Sequence, residues 1–303
     1  MAAAPQSASP SAPAPQRKAA PAKTGPKKVS TRPDLSTLIG IALALSGIVG
    51  GLLLEKGSIQ DIVQGTAAMI VLGGTFGAVL VTTPLPVVLR ALGALRSVFF
   101  EQASPASETI ESLIAFATKA RKNGIVSLET EAAGIADPFF RKALNLAVDG
   151  TDLQEIRKMM EVDIALGEQT GEAEAKVWES AGGYSPTIGI IGAVLGLIQV
   201  MKHLEDIKEV GHGIAVAFVA TVYGVASANI FFLPAANKLR ARVRQSVVLR
   251  DLTLEGVIGI VEGLNPTLIR LKLEAFDPNP AKVRKPAARK AAGPQAAPPG
   301  GKP

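Results

Sequence analysis

The sequence predicts an all-α membrane protein with four transmembrane helices, a helical cytoplasmic domain between spans two and three, and a cytoplasmic C-terminal helix. The main observation is four charge-free runs of 20, 22, 22 and 25 residues, at 35–54, 62–83, 180–201 and 213–237. A helix needs about 20 apolar residues to cross a bilayer. Glycine is frequent in these runs, which weakens a soluble helix but lets membrane helices pack closely. Four buried helices of a soluble core are the disfavoured alternative, because soluble folds rarely need such long apolar runs.

The distribution of lysine and arginine predicts the orientation in the membrane. Of the 32 basic residues, 29 fall in the N-terminal lead, the segment between spans two and three, and the part of the chain after residue 234. The positive-inside rule assigns these segments to the cytoplasm. Both termini are therefore expected inside, and the net charge of +6 is chiefly a topology signal.

Composition divides the chain into six segments. Residues 1–34 and 277–303 are predicted to be disordered basic Ala/Pro-rich tails. Between them lie a transmembrane hairpin (35–83), a cytoplasmic helical domain (84–179), spans three and four (180–237) and a cytoplasmic helix (238–276). The tails either contact anionic membrane lipid or only solubilise the chain. Nucleic-acid binding is disfavoured, because no aromatic residues are interleaved with the basic ones.

The charged middle segment shows helical patterns and no strand signal. Residues 108–121 form an amphipathic pattern that Gly124 terminates. Asp137, followed by proline, is expected to begin a second helix. Thr151 is expected to cap a third helix, with Gln154 completing a capping box, and this helix continues toward span three.

Enzyme chemistry is not recognisable in the sequence. The chain has no cysteine, which excludes a disulfide, a thiolate metal site and a cysteine nucleophile. A strand followed by a glycine-rich phosphate loop is also missing. His203 and His212 flank an acidic outside loop, where solvated histidines are a better interpretation than a metal site. The sequence therefore predicts no enzyme activity, no cofactor and no metal.

The four apolar runs contain no Asp, Glu, Lys, Arg or His. Ionisable groups inside a membrane usually mark an ion path, so this chain is not expected to relay protons unaided. The polar residues within spans three and four are uncharged: Thr187, Gln199, Thr221, Tyr223, Ser227 and Asn229. Pro186 and Pro234 mark either helix boundaries or bends at which a helix bundle can flex.

Three segments resemble a known family. GGYSPTIGIIGAVLGLIQVM (182–201) and GIAVAFVATVYGVASANIFFLPAANKL (213–239) are similar to spans three and four of the MotA/TolQ/ExbB ion-channel subunits. KARKNGIVSLETEA (119–132) resembles the loop motif of the flagellar stator members, in which an arginine precedes a glutamate by eight residues. The resemblance covers about residues 35–276, and the first hairpin favours the flagellar members over the three-span ones.

The resemblance implies a stator subunit in the bacterial inner membrane. In such an assembly, a pentamer of these chains surrounds a dimer of MotB-like, peptidoglycan-anchored subunits, whose single spans carry the proton-accepting aspartate. Ion flow then drives rotation against the rotor protein FliG. By this carry-over, Arg121 and Glu129 face the rotor, while Pro186 and Pro234 serve conformational coupling.

The resemblance also bears on the ion. Sodium-driven relatives carry threonine in span three where this chain has Ala193, and paired threonines in span four where it has Ala220 and Thr221. These three residues and Thr187 form the expected ion pathway. Sodium needs several oxygen ligands, whereas a proton needs an acceptor and water, so the missing hydroxyls favour protons.

Three other functions compete with a flagellar stator. A TolQ/ExbB-like energiser of an outer-membrane or gliding machine belongs to the same family. A substrate transporter is less favoured, because internal repeats and a polar site at mid-membrane are not visible. A purely structural scaffold leaves the motif of Arg121 and Glu129 unexplained.

Overall fold

The apolar runs form helices in the computed structural model, which describes residues 31–102 and 106–276. Within these two ranges, four helices are long and apolar enough to cross a membrane: Leu35–Leu54, Gly65–Thr82, Leu153–Lys202 and Ile207–Val261. The predicted all-α fold with four spans is confirmed. Most of the two predicted basic tails, 1–30 and 277–303, lies outside the described residues.

Helices α1 (Leu35–Leu54) and α2 (Gly65–Thr82) form the first hairpin. Asp34 caps α1, because its side chain accepts hydrogen bonds from the Ser36 and Thr37 amides. A short helix, Ile59–Ile62, lies in the connection. Helix α2 contains a π-helical turn, and the residue after it, Thr83, is extended because it precedes Pro84. No residue of α1 is buried within this chain.

The N-terminal lead is less irregular than the sequence predicts. Strand β1 (Thr31–Pro33) pairs antiparallel with β2 (Phe100–Gln102). Residues 31–34, assigned above to a disordered tail, therefore form a strand and a helix cap. The sequence also gave no strand signal for residues 100–102, which form β2. An isolated pair of three-residue strands is too short to show an alternating pattern in sequence.

The cytoplasmic domain consists of short helices packed around two long ones. The short helices are α3 (Leu85–Ala94), Arg96–Phe99, α4 (Ala106–Asn123), the 3₁₀ turn Ile125–Leu128, α5 (Glu129–Gly134) and α6 (Pro138–Val148). Gly124 ends α4 with a positive φ of 82°, and Asp137 caps α6, as predicted. The predicted cap Thr151 is wrong, because the helix begins one residue later than predicted, and the Thr151 amide donates to the Leu146 carbonyl oxygen at the end of α6. Asp152 caps the next helix instead.

That next helix, α7 (Leu153–Lys202), is 50 residues long and has Pro186 in its interior. Helix α8 (Ile207–Val261) contains a π-helical turn, Ser227–Phe232, just before Pro234. An interior proline lacks an amide hydrogen and clashes with the carbonyl four residues earlier. In α8 the widened π-helical turn before Pro234 accommodates that clash, whereas α7 continues through Pro186 as an α-helix. Both prolines therefore lie within continuous helices, and the helix-boundary interpretation is wrong.

Two clusters of buried side chains hold the cytoplasmic domain together. The larger lies between α4, α6, the cytoplasmic parts of α7 and α8, and α9 (Pro266–Glu274), and its fully buried members include Leu113, Leu144, Ile156, Met160, Leu252 and Ile269. The smaller surrounds Trp178 near the membrane. Trp178 Nε1 donates to the Ala91 carbonyl oxygen at 3.1 Å, and its ring stacks on Phe232. These contacts join α3 to the start of span three and the end of span four.

Candidate functional site

Spans three and four contact each other along a seam of small residues. The seam consists of Ser185, Gly189, Gly192 and Gly196 on α7 and Gly213, Ala217, Ala220 and Gly224 on α8, all of them buried. Both sets have the spacing four, three, four, which places each on one helix face. A Cβ on Gly189 would lie 2.9 Å from the Ala220 carbonyl oxygen, and one on Gly196 only 2.8 Å from the Ala217 amide nitrogen. The two backbones are therefore in direct contact, as small residues permit between membrane helices.

A hydroxyl pair crosses this seam beside Pro186. Ser185 Oγ lies 2.7 Å from Ser227 Oγ, and Ser185 is completely buried. Ser227 uses its hydroxyl hydrogen to bond the Tyr223 carbonyl oxygen at 2.6 Å. Ser185 is therefore the donor in the pair. The bond connects the turn that contains the proline of α7 to the π-helical turn of α8.

The four residues of the expected ion pathway occupy different environments. Ala220 is completely buried in the seam, where its Cβ lies opposite Gly192. Ala193 is half-buried. Thr221 Oγ1 donates to the Ala217 carbonyl oxygen at 3.1 Å, and the exposed Thr187 donates to Tyr184 at 2.7 Å. Both threonine hydroxyls donate to carbonyl oxygens of their own helix.

Helix α2 contributes a buried hydroxyl that the sequence did not single out. Thr75 is completely buried between Val71 and Val79, on the face of α2 that packs on α7 and α8. Its Oγ1 has no hydrogen-bond partner among the described residues. A single threonine in an apolar run gives no sequence signal for its direction, so only the packing of α2 identifies it.

Asp34 joins the start of span one to the end of span four. Its carboxylate lies 2.6 Å from Lys238 Nζ and 2.9 Å from Arg242 Nη2, and the residue is only 7% exposed. The hydrogen bonds from Lys238 and then Ser36 hold the pKa of Asp34 well below its usual value, although burial opposes them. The sequence signal was an acid directly before the apolar run, followed by hydroxyl residues, which is typical of a helix cap.

A second ionic group ties α7 to α8 on the cytoplasmic side. Arg240 donates to both carboxylate oxygens of Glu179, at 3.3 and 2.8 Å, and also contacts Glu172 at 3.2 Å. Arg240, and secondarily Lys176, lower the pKa of Glu179 to about 2. These pairs fix the rotation of α8 just beyond Pro234, where the helix leaves the membrane.

The two residues expected to face the rotor lie at the end of the cytoplasmic domain that is far from the spans. Arg121 and Glu129 are exposed, and neither makes an ion pair with any residue in the described ranges. Their neighbours Lys119 and Glu131 pair with each other instead. Arg121 lines a cleft of about 360 Å³, whereas Glu129 does not. Both charges are therefore available to another molecule.

Two family models match the chain. Residues 131–251 match the MotA/TolQ/ExbB proton channel family. Residues 38–124 match the model described as Motility protein A N-terminal. The first range includes spans three and four, and the second includes the first hairpin and the arginine of the loop motif. Together the two models cover most of the described residues.

The chain is also similar to known motility proteins and to solved structures. Motility protein A of Bacillus subtilis is 34% identical over 249 residues, 81% of this chain and 91% of that protein. The MotAB structure from C. jejuni has a TM-score of 0.76 and 33% identity, covering 80% of this chain and 95% of the solved one. The flagellar MotAB stator complex of Bacillus subtilis has a TM-score of 0.74 and 33% identity, covering 82% and 98%.

Proposed function

Because this chain belongs to the MotA/TolQ/ExbB proton channel family, we propose that it is the channel subunit of a flagellar stator, which couples proton flow across the inner membrane to torque on the rotor. The observation that carries the proposal is the likeness over about four fifths of the chain to the MotAB complexes. The match of 38–124 to a motility-specific model favours a stator over a TolQ/ExbB-like energiser. The same evidence disfavours a substrate transporter. The family consists of channel subunits and not of enzymes.

The spans require a partner to supply the ion-binding acid. Within the described ranges, the apolar stretches of the four candidate spans contain no Asp, Glu, Lys, Arg or His. We therefore assign the proton-accepting carboxylate to a MotB-like subunit, and the two solved MotAB complexes support such a partner. We further place this chain in a pentamer around a MotB-like dimer. Helix α1, which has no buried residue in a single chain, is then available to pack against neighbouring subunits.

The ion pairs of Asp34 support an orientation with both termini in the cytoplasm. Asp34 precedes span one, whereas Lys238 and Arg242 follow span four. A direct contact between these residues requires them to lie on the same side of the membrane. The enrichment of basic residues in the same segments favours the cytoplasmic side.

The proposed conducted ion is the proton. Ala193 and Ala220 offer no hydroxyl, which leaves Thr187 and Thr221 as the hydroxyl residues of the expected pathway. A sodium ion that loses its water shell needs several oxygen ligands, and this pair of helices supplies few side-chain oxygens. We assign the pathway to the surface that α7 and α8 present to the partner. Pro186 and Pro234, joined by the Ser185–Ser227 bond, would serve as the points of bending.

The experiment uses a stator-deficient motile bacterium that produces this chain with its MotB-like partner. Swimming should be restored, should stop when a protonophore is added, and should persist when sodium is withdrawn. Swimming that requires sodium and resists the protonophore would contradict the proton assignment. Failure to restore swimming, despite normal membrane levels of both proteins, would contradict the stator function itself.

A further inference from the structure

Helix α3 and the turn after it begin and end at one boundary of the membrane. Thr83 and Pro84 alone connect span two to α3. At the other end of this segment, the Asp34 amide donates to the Phe99 carbonyl oxygen at 2.8 Å, and Asp34 caps span one. The end of span two and the start of span one lie on the same side of the membrane, because the two spans form a hairpin. Both ends of the segment 84–99 are therefore at that membrane boundary.

The length of the segment keeps α3 along the membrane surface. Helix α3 has 10 residues and is about 15 Å long. Only Leu95 and the four-residue helix Arg96–Phe99 connect it to the contact with Asp34. Those four residues rise about 6 Å, which is too little to return from the far end of α3 if that helix pointed away from the membrane. Helix α3 is therefore held at the depth of the lipid headgroups.

Two separate faces of α3 are apolar. Val88 and Ala91 are buried in the smaller of the two clusters described above. Leu85, Leu89 and Leu92 recur at i, i+4 and i+7, which places them together on a second face, and they are between 46% and 59% exposed. A helix at a water-covered surface needs only one apolar face. The exposed leucine face is therefore suited to the hydrocarbon that also covers the spans.

A basic residue on a third face shows how α3 is turned. Arg90 is exposed, and its Nε lies 3.9 Å from Glu174 on α7, in the part of that helix that precedes span three. Arg90 therefore points away from the membrane. The leucine face is rotated by about 130° from Arg90 around the helix axis. A helix with an apolar face toward the bilayer and a basic face toward water is typical of a membrane interface.

Arg96 continues the leucine face and makes no ion pair within the described ranges. Leu95 keeps helical dihedral angles, with φ −54° and ψ −29°, so Arg96 follows Leu92 at i+4 on the same face. Arg96 is exposed. Asp34, which contacts the same turn, is already engaged by Lys238. A guanidinium at the end of an apolar face matches the phosphate of a lipid whose acyl chains cover that face.

We propose that Leu85, Leu89 and Leu92 insert among the acyl chains of the adjacent leaflet, and that Arg96 binds the phosphate of an anionic phospholipid there. The lipid fixes the depth of α3, and the buried face of α3 transmits this position to the cluster around Trp178 at the start of span three. The proposal needs only the four membrane spans and holds whichever ion the complex conducts.

The first test measures what covers the leucine face. The chain has no cysteine, so Leu89→Cys or Arg90→Cys introduces a single thiol per chain, which is labelled with bimane in a complex with a cysteine-free partner. The complex is placed in vesicles of equal parts phosphatidylcholine and phosphatidylglycerol with brominated acyl chains. Bromine should quench the label at position 89 strongly and the label at 90 weakly, and aqueous iodide should do the reverse. Quenching at 89 by iodide alone would overturn the proposal. Quenching at 89 by neither agent would also overturn it, because a neighbouring subunit would then cover the face.

The second test measures the headgroup contact. The detergent-solubilised complex is titrated with phosphatidylglycerol or phosphatidylcholine, and bound lipid is followed by native mass spectrometry. Arg96→Gln should weaken phosphatidylglycerol binding by about fivefold, the effect of one basic residue near an anionic surface, and should leave phosphatidylcholine binding unchanged. Arg96→Lys should retain most of the preference. Arg90→Gln is the matched control, because it removes the same charge from the face turned away from lipid.

Equal binding of phosphatidylglycerol by Arg96→Gln and Arg90→Gln would overturn the headgroup assignment. An equal loss of both lipids in Arg96→Gln would do the same, because it would show that the charge is not what is recognised. Neither test depends on ion flow or motility. A failure of the stator function is therefore distinguishable from a failure of this proposal.

Discussion

Arg242 Nη2 donates to Asp34 Oδ2 at 2.9 Å, although 208 residues separate them in the chain. Lys238 approaches the same oxygen at 2.6 Å. Span one makes few other contacts with the rest of this chain, since none of its residues is buried. The position of its N-terminal end is therefore set by this ionic group and by the bond from the Asp34 amide to the Phe99 carbonyl oxygen.

Replacing Asp34 should loosen this connection. Asp34→Asn removes the charge while keeping part of the cap, and we expect a loss of about 1–3 kcal/mol in the free energy of unfolding, because a hydrogen bond to a charged group is worth about that much. Thermal unfolding of the purified complex in detergent measures it. Glu55→Gln, at the opposite end of α1, is the matched control and should change little. Equal stability of both variants would contradict the proposed anchoring.

The ion pairs of Glu179 predict a pH dependence. The folded-state pKa of Glu179 is lowered from 4.5 to about 2, chiefly by Arg240. A carboxylate with a lowered pKa stabilises the fold above its unfolded-state pKa, and this stabilisation is lost as the pH falls toward the folded-state value. We expect the difference in melting temperature between the unchanged chain and Glu179→Gln to be constant from pH 7 to 5 and to shrink from about pH 4.5 downward. A difference that persists unchanged at pH 3 would contradict the assignment.

The seam between α7 and α8 should not tolerate added volume. Gly189→Ala places a Cβ against the backbone of α8, and overpacking of this kind costs about 1–3 kcal/mol. Gly183 is the control on the same helix, because a Cβ there meets nothing within 4 Å in this chain. Gly183→Ala should be neutral or stabilising, because alanine favours helix. Proton conduction and thermal unfolding of the complex report both outcomes.

Removing the buried hydroxyl of Ser185 should lower stability, whereas removing that of Thr75 should not. Ser185→Ala removes the donor to Ser227 and should cost about 1 kcal/mol. Thr75→Val preserves shape and removes a hydroxyl with no hydrogen-bond partner in the described structure, so it should be neutral or stabilising. Chemical unfolding of the two purified complexes compares them directly. A large loss in Thr75→Val would show that the hydroxyl has a partner in the assembly.

Reversing the charges of the loop motif should lower motility without changing assembly of the complex in the membrane. Arg121→Glu and Glu129→Lys alter exposed groups with no ion pair in the described chain, so folding and membrane insertion should be unchanged. Motility in soft agar should fall in both. Lys158→Glu, an exposed and unpaired basic residue on α7, is the control. Normal motility of both reversed variants would remove these residues from the rotor contact.

The sequence was sufficient for features that depend on local chemistry. Charge-free runs identified the spans, and Asp137 and Gly124 identified helix ends, because capping requires particular residue types at fixed positions. It failed at Thr151, because Thr151 and Asp152 are adjacent and both are good cap residues, so the sequence does not show which of them begins the helix. The interior position of Pro186 was also ambiguous, because proline suits a first turn as well as a tolerated kink in a membrane helix.

The candidate sites depended more on long-range packing. Arg121 and Glu129 stood out only through a family motif, and nothing local to Arg121 shows that a cleft lies beside it. The cleft beside Arg121 is lined by segments far apart in sequence, among them the turns of Gly150 and Gly263, and only the packing of α4, α6 and α8 brings these segments together. The ionic group of Asp34 has the same origin, since its partners belong to a helix at the other end of the chain.

Helix α7 is continuous from the helical domain into the membrane, so a bend at Pro186 would displace its far end. About 33 residues separate Pro186 from the first residue of this helix, a distance of about 50 Å at 1.5 Å per residue. A tilt of about 5° at Pro186 would displace that far end sideways by about 4 Å, roughly the width of a side chain. If Pro186 is the point of bending in the proposed function, α7 would act as a lever, and a bend of a few degrees within span three would become a stroke of several ångströms at the far end of the helical domain.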